Sequence, residues 1–214
     1  MPDILTITRL NPNKPAVAIT FDDGPSEHTT QILNTLQQYD GRVTFFVMGS
    51  LVEANKTKIL RAFNMRNEII CHAWDHKDLT KLSGRKIKKQ LFDTIAAIAK
   101  LTGTVSLMFR PPYGFTNKKV EKISLKLGLS IIHWSVDPED WDRENVNDEM
   151  IYTKIMNDVK DGSIILCHDT HEHTANAMKR IIPELIERGY QLVTVSELLQ
   201  NKYGTLEPGK IYND

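Results

Sequence analysis

Two histidines and an aspartate are the residues whose types and spacing most directly suggest chemistry. His72 and His76 are four residues apart, so both ring nitrogens can face one point, and Asp23 follows a different predicted strand. Two imidazoles and a carboxylate supply three ligands and leave coordination positions open, which is typical of a catalytic zinc site. We therefore predict a metal site at Asp23, His72 and His76. The alternative is that residues 22–25 form only a turn and that the histidines lie on the surface.

A second carboxylate, Asp22, directly precedes the predicted ligand Asp23. Successive side chains of an extended strand point in opposite directions, so the two aspartates can have separate tasks. A metal acidifies its bound water, and a free carboxylate can take the proton as general base. Asp22 is our candidate base, with helix capping as the alternative. Arg110 is expected to pair with Asp22 and hold its orientation and charge. The alternative is that the two residues form a purely structural ion pair at the strand end.

A further histidine, His168, ends the sixth predicted strand. We predict that it is a general acid that protonates a leaving group, with Asp140 or Asp137 as the carboxylate that orients it. A histidine satisfied within the core is the alternative. His171 and His173 follow in the next loop, where they either contact substrate or are simply exposed.

Apolar and aromatic side chains accompany these polar groups. Tyr113, Trp141, Leu166 and Trp74 lie near the predicted strand ends and offer the flat surface on which a sugar ring packs. Ordinary core packing is the alternative for each of them.

The elements that must position these residues are strands that alternate with amphipathic helices. Five of the strand ends carry the carboxylates, imidazoles and guanidinium described above, and active sites of parallel α/β folds form at the carboxyl ends of strands. The spacing of about 25 to 35 residues between strand starts predicts a mostly parallel sheet, either closed as an incomplete (β/α) barrel or open and doubly wound. The predicted strands are 17–21, 43–48, 68–71, 105–109, 130–136, 163–167 and 191–195. The predicted helices are 29–39, 56–65, 86–101, 118–127, 149–159 and 175–188.

The composition narrows the class of protein. A chain of 214 residues fits one large domain, and its 27 basic and 27 acidic residues cancel, so no global field favours a nucleic-acid partner. We expect no membrane span and see no signal peptide in residues 1–15. The two cysteines, Cys71 and Cys167, are predicted core residues. The sequence has no G-x-S-x-G, G-x-G-x-x-G, G-x-x-x-x-G-K or H-E-x-x-H motif, which disfavours serine hydrolases and nucleotide-binding enzymes.

Five ordered segments resemble the motifs of the NodB-homology polysaccharide deacetylases, carbohydrate esterase family 4, over residues 16–199. The segments are Thr20-Phe21-Asp22-Asp23-Gly24-Pro25, His72-Ala73-Trp74-Asp75-His76, Arg110-Pro111-Pro112-Tyr113-Gly114, Asp137-Pro138-Glu139-Asp140-Trp141 and Leu166-Cys167-His168-Asp169. The resemblance implies a single distorted (β/α)7 barrel with its active site at the carboxyl ends of the strands. It also implies a domain at 16–199, between an N-terminal extension, 1–15, and a C-terminal tail, 200–214.

The resemblance further implies a role for each matching residue in metal-dependent removal of acetyl groups from polysaccharides. The metal, expected to be zinc with cobalt, nickel or manganese as alternatives, is held by Asp23, His72 and His76. The implied catalytic residues are Asp22 as base, tuned by Arg110, and His168 as acid, tuned by Asp140. The implied substrate residues are Tyr113, whose backbone N–H binds the oxyanion, and Trp141 and Leu166, which line the acetyl pocket.

The implied substrate is a polysaccharide or oligosaccharide. Residues 117–118, 140–143 and 168–174 look more like bacterial peptidoglycan N-acetylglucosamine deacetylases, and O-deacetylation of xylan is the alternative on the same site. We expect a monomer located outside the cell or at the cell wall, with any export signal outside this sequence, and a cytoplasmic location is the alternative. Ala73 departs from the family pattern, which usually has serine or threonine there, so a hydrogen bond near the metal is lost.

Two other classes use the same residues. Two histidines and one aspartate also form the iron site of non-haem oxygenases, which would require oxygen for turnover. A degenerate, carbohydrate-binding relative would bind sugar without releasing acetate.

Overall fold

The computed structural model describes residues 10–142 and 146–213. Within these ranges the chain forms eight strands, all paired in parallel. The strands are Ala16–Asp22 (β1), Thr44–Val47 (β2), Glu68–Cys71 (β3), Met108–Phe109 (β4), Ser130–Ile132 (β5), Ile164–His168 (β6), Gln191–Leu192 (β7) and Ile211–Tyr212 (β8).

Eight α-helices lie between or after these strands in the described residues, with short 3-10 turns at Leu79–Lys81 and Pro112–Gly114. The helices are Thr29–Leu36 (α1), Gly49–Val52 (α2), Lys56–Asn64 (α3), Gly84–Thr102 (α4), Lys118–Leu127 (α5), Asp148–Asp158 (α6), Glu172–Glu187 (α7) and Val195–Tyr203 (α8).

The sheet curls into a barrel rather than staying open. Its order is β6-β1-β2-β3-β4-β5-β8, and β7 pairs with the beginning of β1. Beyond β5 the chain reaches β6, where Val136 forms an isolated bridge with Ile165 and its carbonyl accepts the N–H of Leu166 at 2.9 Å. This contact joins the segment that follows β5 to β6, at the other side of the sheet, which confirms the predicted distorted (β/α)7 barrel and excludes the doubly wound alternative.

Alternation along β1 explains how the core and the site share one strand. Val17, Ile19 and Phe21 pack into a core layer that includes helices α1, α6 and α7. Ala16 and Ala18 point the other way, into the barrel interior with Phe46 and Ile132, and Thr20 and Asp22 continue that inward row. Asp22 is therefore the last inward residue of β1, at the carboxyl end of the barrel.

Some short elements differ from the predictions. The strand predicted at 191–195 ends at Leu192, because Thr194 begins α8 with a capping box in which its side chain and that of Glu197 each bond the other's backbone N–H. Helices α2 and α8 and strand β8 were not predicted. Strand β8 pairs with β5, so the segment 200–214 contributes to the sheet, whereas the domain limits themselves stay a prediction.

The two cysteines are buried, as predicted. Burial raises the pKa of the Cys71 thiol to about 12. In the part of the chain that the structure describes, no helix combines the length and apolar character needed to cross a bilayer.

Candidate metal centre and catalytic site

The three predicted ligands lie together at the carboxyl end of the barrel. Asp23 Oδ1 is 3.2 Å from His72 Nε2 and 3.1 Å from His76 Nε2. One potential ligand atom from each residue falls within 4.8 Å of the other two. The structure thus brings together the residues that the sequence predicted as a metal site.

The local backbone turns sharply at these ligands. Asp23 follows β1 with φ of 69°, and His76 has φ of 55°, both in the left-handed region that residues other than glycine seldom adopt. Because Asp23 leaves the extended conformation, its carboxylate points toward the site although Asp22 already faces inward. Backbone of this kind persists only where surrounding contacts hold it, and it is concentrated at functional sites.

The donor groups fit a divalent cation. Asp23 Oδ1 is buried and accepts no hydrogen bond, although two ring nitrogens face it. Burial would raise the pKa of Asp23, but the adjacent His72 and His76 rings outweigh it and lower that pKa to about 2. Burial also lowers the pKa of His76, which favours the neutral ring that a metal requires. A carboxylate and two imidazoles with a vacant lone pair are the ligands that zinc binds.

A backbone carbonyl sets the tautomer of His72. Its Nδ1 is 2.9 Å from the carbonyl oxygen of Arg110, and since that oxygen can only accept, Nδ1 carries the proton. Nε2 is then the nitrogen with the free lone pair, and it faces Asp23. This arrangement is common around metal-binding histidines because it fixes the orientation of the ring.

Arg110 is fully buried and holds Asp22 in place. Its Nη1 donates to Asp22 Oδ1 and to the hydroxyl of Thr20, each at 2.7 Å, and its Nη2 donates to the carbonyl of His133 at 2.9 Å. The guanidinium also stacks on the ring of Phe46, 4.0 Å from its centroid. The other Asp22 oxygen, Oδ2, lies 3.7 Å from His72 Nε2 and so faces the ligand cluster.

Asp140, rather than Asp137, is the carboxylate that contacts His168. Asp140 Oδ1 accepts from His168 Nδ1 at 2.7 Å, and Oδ2 accepts the His168 backbone N–H at 2.7 Å and the Thr174 hydroxyl at 2.6 Å. Burial would lower the pKa of His168, but the hydrogen bond and charge of Asp140 outweigh it and raise that pKa to about 9. Asp137 instead accepts the backbone N–H of Glu139.

The three predicted substrate residues border the site in different ways. Tyr113 has φ of 61°, is about half exposed and sets its ring edge-on to that of His76, with centroids 4.4 Å apart. Trp141 directly follows Asp140 and is also about half exposed. Leu166 is buried on β6, two residues before His168 and therefore on the same face of the strand.

The loop histidines after His168 separate. His171 lies with its ring centroid 6.0 Å from that of His168, whereas His173 is exposed on α7. Of the two, His171 is the one whose ring contacts that of His168 in the described structure.

Asp169 is a site residue to which the sequence analysis assigned no role. Its carboxyl group is fully buried and accepts a hydrogen bond from the Thr29 hydroxyl, and its Oδ1 has no partner among the residues that the structure describes. Burial raises its pKa to about 7. It packs so tightly against Gly24 that a Cβ there would lie 2.2 Å from Asp169 Oδ1, which explains the glycine after the two aspartates. The signal available in the sequence was the polar residue directly after a strand end.

Comparison with known proteins places this arrangement in a family. The family described as "Polysaccharide deacetylase" matches residues 9–132, more than half of the chain. The chain is 41% identical over 194 residues to the peptidoglycan-N-acetylmuramic acid deacetylase PdaC of Bacillus subtilis, covering 90% of this chain and 40% of PdaC. It is 39% identical over 199 residues to the peptidoglycan-N-acetylglucosamine deacetylase PgdA of Listeria monocytogenes, covering 92% of this chain and 41% of PgdA.

Solved structures agree with the sequence comparison. A structure of PdaC superposes with a TM-score of 0.85 at 40% identity, covering 90% of this chain and 94% of that one. A family 4 acetyl xylan esterase from Clostridium thermocellum, in complex with cobalt, gives 0.86 at 34% identity, covering 93% and 98%.

The chain belongs to the polysaccharide deacetylase family, carbohydrate esterase family 4. This confirms the resemblance noted in the five sequence segments. The chain spans about 40% of the length of the two curated relatives, PdaC and PgdA.

Proposed function

We propose that this chain is a metal-dependent hydrolase that removes the N-acetyl group from N-acetylglucosamine residues of peptidoglycan or chitin-type oligosaccharides and releases acetate. One observation carries the proposal. The three potential metal ligands lie beside Asp22, which is held by the buried Arg110. On the neighbouring strand β6, His168 is held by the buried Asp140. These are the parts that metal-assisted hydrolysis of an amide requires.

Asp23, His72 and His76 would hold the metal. The chemistry that a divalent ion supplies when bound there is Lewis acidity toward the acetyl carbonyl and a lower pKa for water. Zinc suits the mixed nitrogen and oxygen ligands, and cobalt, nickel and manganese are the alternatives. The acetyl xylan esterase that this chain resembles was solved with cobalt, which supports a site open to more than one divalent ion.

The base is Asp22. Its Oδ2 accepts the proton of the attacking water, while Oδ1 stays bound to Arg110. Arg110 is itself anchored by Thr20 and by the His133 carbonyl, and it therefore holds the Asp22 carboxylate in one orientation. Orientation of this kind is what makes a general base effective.

The acid is His168. Asp140 accepts from its Nδ1, so Nε2 is the nitrogen that donates a proton to the departing amine. In the metal-free protein burial would lower the pKa of His168, but Asp140 outweighs it and raises that pKa to about 9, which favours the protonated ring that an acid needs. The backbone N–H of Tyr113 would stabilise the oxyanion, and Trp141 and Leu166 would line the pocket for the acetyl methyl group.

The relatives favour N-deacetylation of a bacterial cell-wall polymer. PdaC and PgdA are both named as peptidoglycan deacetylases. We accordingly propose that the chain acts as a monomer outside the cell or at the cell wall. Removal of O-acetyl groups from xylan is the second candidate, because a structure of that activity superposes on this chain equally well.

The test is acetate release from an N-acetylglucosamine tetramer and from acetylated xylan, with zinc or cobalt added and with chelator. Metal-dependent release from the tetramer is the expected result. Release from xylan alone would show that the chain hydrolyses acetyl esters rather than the N-acetyl amide. Sugar binding without acetate from either polymer would point to a degenerate binding protein, and turnover that requires oxygen would point to an iron oxygenase.

A further inference from the structure

The backbone between the two histidine ligands is strained, and the residue that follows His72 has no side chain that could hydrogen-bond to it. We call residues 73–76 the ligand turn. Ala73 and His76 both have positive φ, 59° and 55°, and neither is glycine. Ala73 has no polar side-chain atom, so contacts from elsewhere must hold the turn.

One side chain of α4 supplies three of those contacts. Gln90 Oε1 accepts the backbone N–H of Trp74 at 2.8 Å and that of Asp75 at 3.3 Å. Gln90 Nε2 donates to Asp75 Oδ1 at 2.7 Å. The amide thus binds backbone and side chain of the same turn, which requires an acceptor and a donor on one residue.

The opposite side of the ligand turn is held by α2. The N–H groups of Gly49 and Ser50 donate to the carbonyls of Ala73 and Trp74, at 3.0 and 2.9 Å. The ring of Trp74 packs so closely on Gly49 that a Cβ there would lie 2.5 Å from it. The turn is therefore fixed between α2 and Gln90, and Trp74 packs against Gly49.

We infer that Gln90 is a positioning residue of the metal centre, which fixes the ligand turn so that His76 faces His72 and Asp23 before the metal arrives. The inference rests on the proposed metal site. Without Gln90 the two N–H groups lose their acceptor, and the left-handed conformation at Ala73 and His76 loses its support. The cost falls on metal affinity, because the freed turn must be reordered on binding.

The test is metal binding by the full chain after removal of metal with chelator. Zinc affinity is measured by competition with a chromophoric chelator, and cobalt absorption reports ligand geometry. For Gln90→Ala we expect zinc affinity to fall about 10- to 100-fold, with a changed cobalt spectrum. Lys88→Ala, on the exposed face of the same helix, is the control and should bind as the parent does.

A double variant separates positioning from general stability. Gln90→Glu keeps the acceptor but places a carboxylate against Asp75, and we expect weaker zinc binding. Adding Asp75→Asn reverses the polarity of the Gln90–Asp75 hydrogen bond and should restore most of the affinity. Thermal unfolding of each metal-free variant shows whether affinity changes while the fold stays intact.

The outcomes distinguish this inference from the proposed function. Parent-like zinc affinity and cobalt spectrum in Gln90→Ala overturn the inference alone, as does a loss of affinity that only tracks loss of thermal stability. A parent chain that binds neither zinc nor cobalt overturns the metal site and the inference with it. A parent that binds metal but releases no acetate overturns the proposed function and leaves the role of Gln90 intact.

Discussion

The two ends of the barrel both bury carboxylates, but they treat them differently. At the amino ends of the strands, Glu68 accepts from the hydroxyl of Thr44 at 2.9 Å and from both the backbone N–H and the hydroxyl of Ser196. Glu197 pairs with Arg42 at 2.9 Å. Each of these carboxylates has partners for both oxygens or a full counter-charge, as expected of groups that stabilise a fold.

At the carboxyl ends of the strands, buried groups are left without partners. In residues 10–142 and 146–213, three buried side-chain polar atoms have no hydrogen bond, namely Asp23 Oδ1, His133 Nε2 and Asp169 Oδ1. They follow strands β1, β5 and β6 directly. Native proteins seldom leave such atoms unpaired, so their position at one end marks where ligands are accommodated at some cost in stability.

The largest effect is expected from His76→Ala at the carboxyl end. It removes one of three ligands, so both stoichiometric zinc binding and acetate release should fall to the limit of detection. Metal content of the purified variant and the acetate assay measure this together. Full activity with one equivalent of zinc would remove His76 from the metal site.

Asp22→Asn should separate chemistry from metal binding. The amide still accepts from Arg110 but cannot take a proton, so turnover should fall by about 10²- to 10⁴-fold while one equivalent of zinc is retained. Parallel kcat and metal measurements decide it. Turnover near that of the parent would show that another group is the base.

Asp140→Asn should change the pH dependence. His168 must be protonated to act as acid, so activity should fall as pH rises through its pKa, about 9 in the metal-free protein. A cation bound by Asp23, His72 and His76 lowers the pKa of His168, and so does the loss of the Asp140 charge. Proton NMR titration of His168 in the metal-free parent and variant tests the shift, and an unchanged pKa would contradict it.

The same titration carries a stability prediction of known sign. A histidine whose pKa is raised from 6.5 to about 9 on folding contributes stability that is complete below pH 6.5. That contribution is lost as pH rises toward 9 and should be smaller in Asp140→Asn. Urea unfolding of the metal-free proteins at pH 6 and pH 9 measures the difference.

The smallest effect on activity is expected at the amino end. Arg42→Met leaves Glu197 buried without its counter-charge, and the free energy of unfolding should fall by about 3–5 kcal/mol. Turnover per folded molecule should stay within about twofold, because the residue does not contact the site. A large loss of kcat without loss of stability would contradict the interpretation that the amino end of the barrel serves only the stability of the fold.

Much of the fold was predictable because its signals are local. Six of the eight described helices, α1 and α3–α7, follow the three- and four-residue spacing of apolar residues, and α4 and α5 end at Gly103 and Gly128, both with positive φ. The missed elements have two to nine residues. Strand β8 exists through pairing with β5, a contact between segments some 80 residues apart. Helix α8 did have a local signal, since Thr194 and Glu197 have the spacing of a capping box.

The site also has residues that the sequence indicated and contacts that it did not. Asp23, His72 and His76 were identified by residue type and by their position after strands, and the structure brings them together. The choice between Asp140 and Asp137 depended on the turn at Glu139, whose φ is 58°. The contacts of Gln90 and Asp169 arise only from tertiary packing, and a glutamine in mid-helix gives no sequence signal.

The buried thiols next to His72 and His168 make the chain a reporter of its own unfolding. Burial raises the pKa of the Cys71 thiol to about 12, so the thiol stays protonated at neutral pH, and it is also closed to reagents. Cys167, whose pKa is raised as well by burial, is equally protected. Alkylation of either residue therefore measures how often strand β3 or β6 opens. Since His72 and His168 directly follow these cysteines in sequence, the labelling rate also reports local opening at the carboxyl end of the barrel.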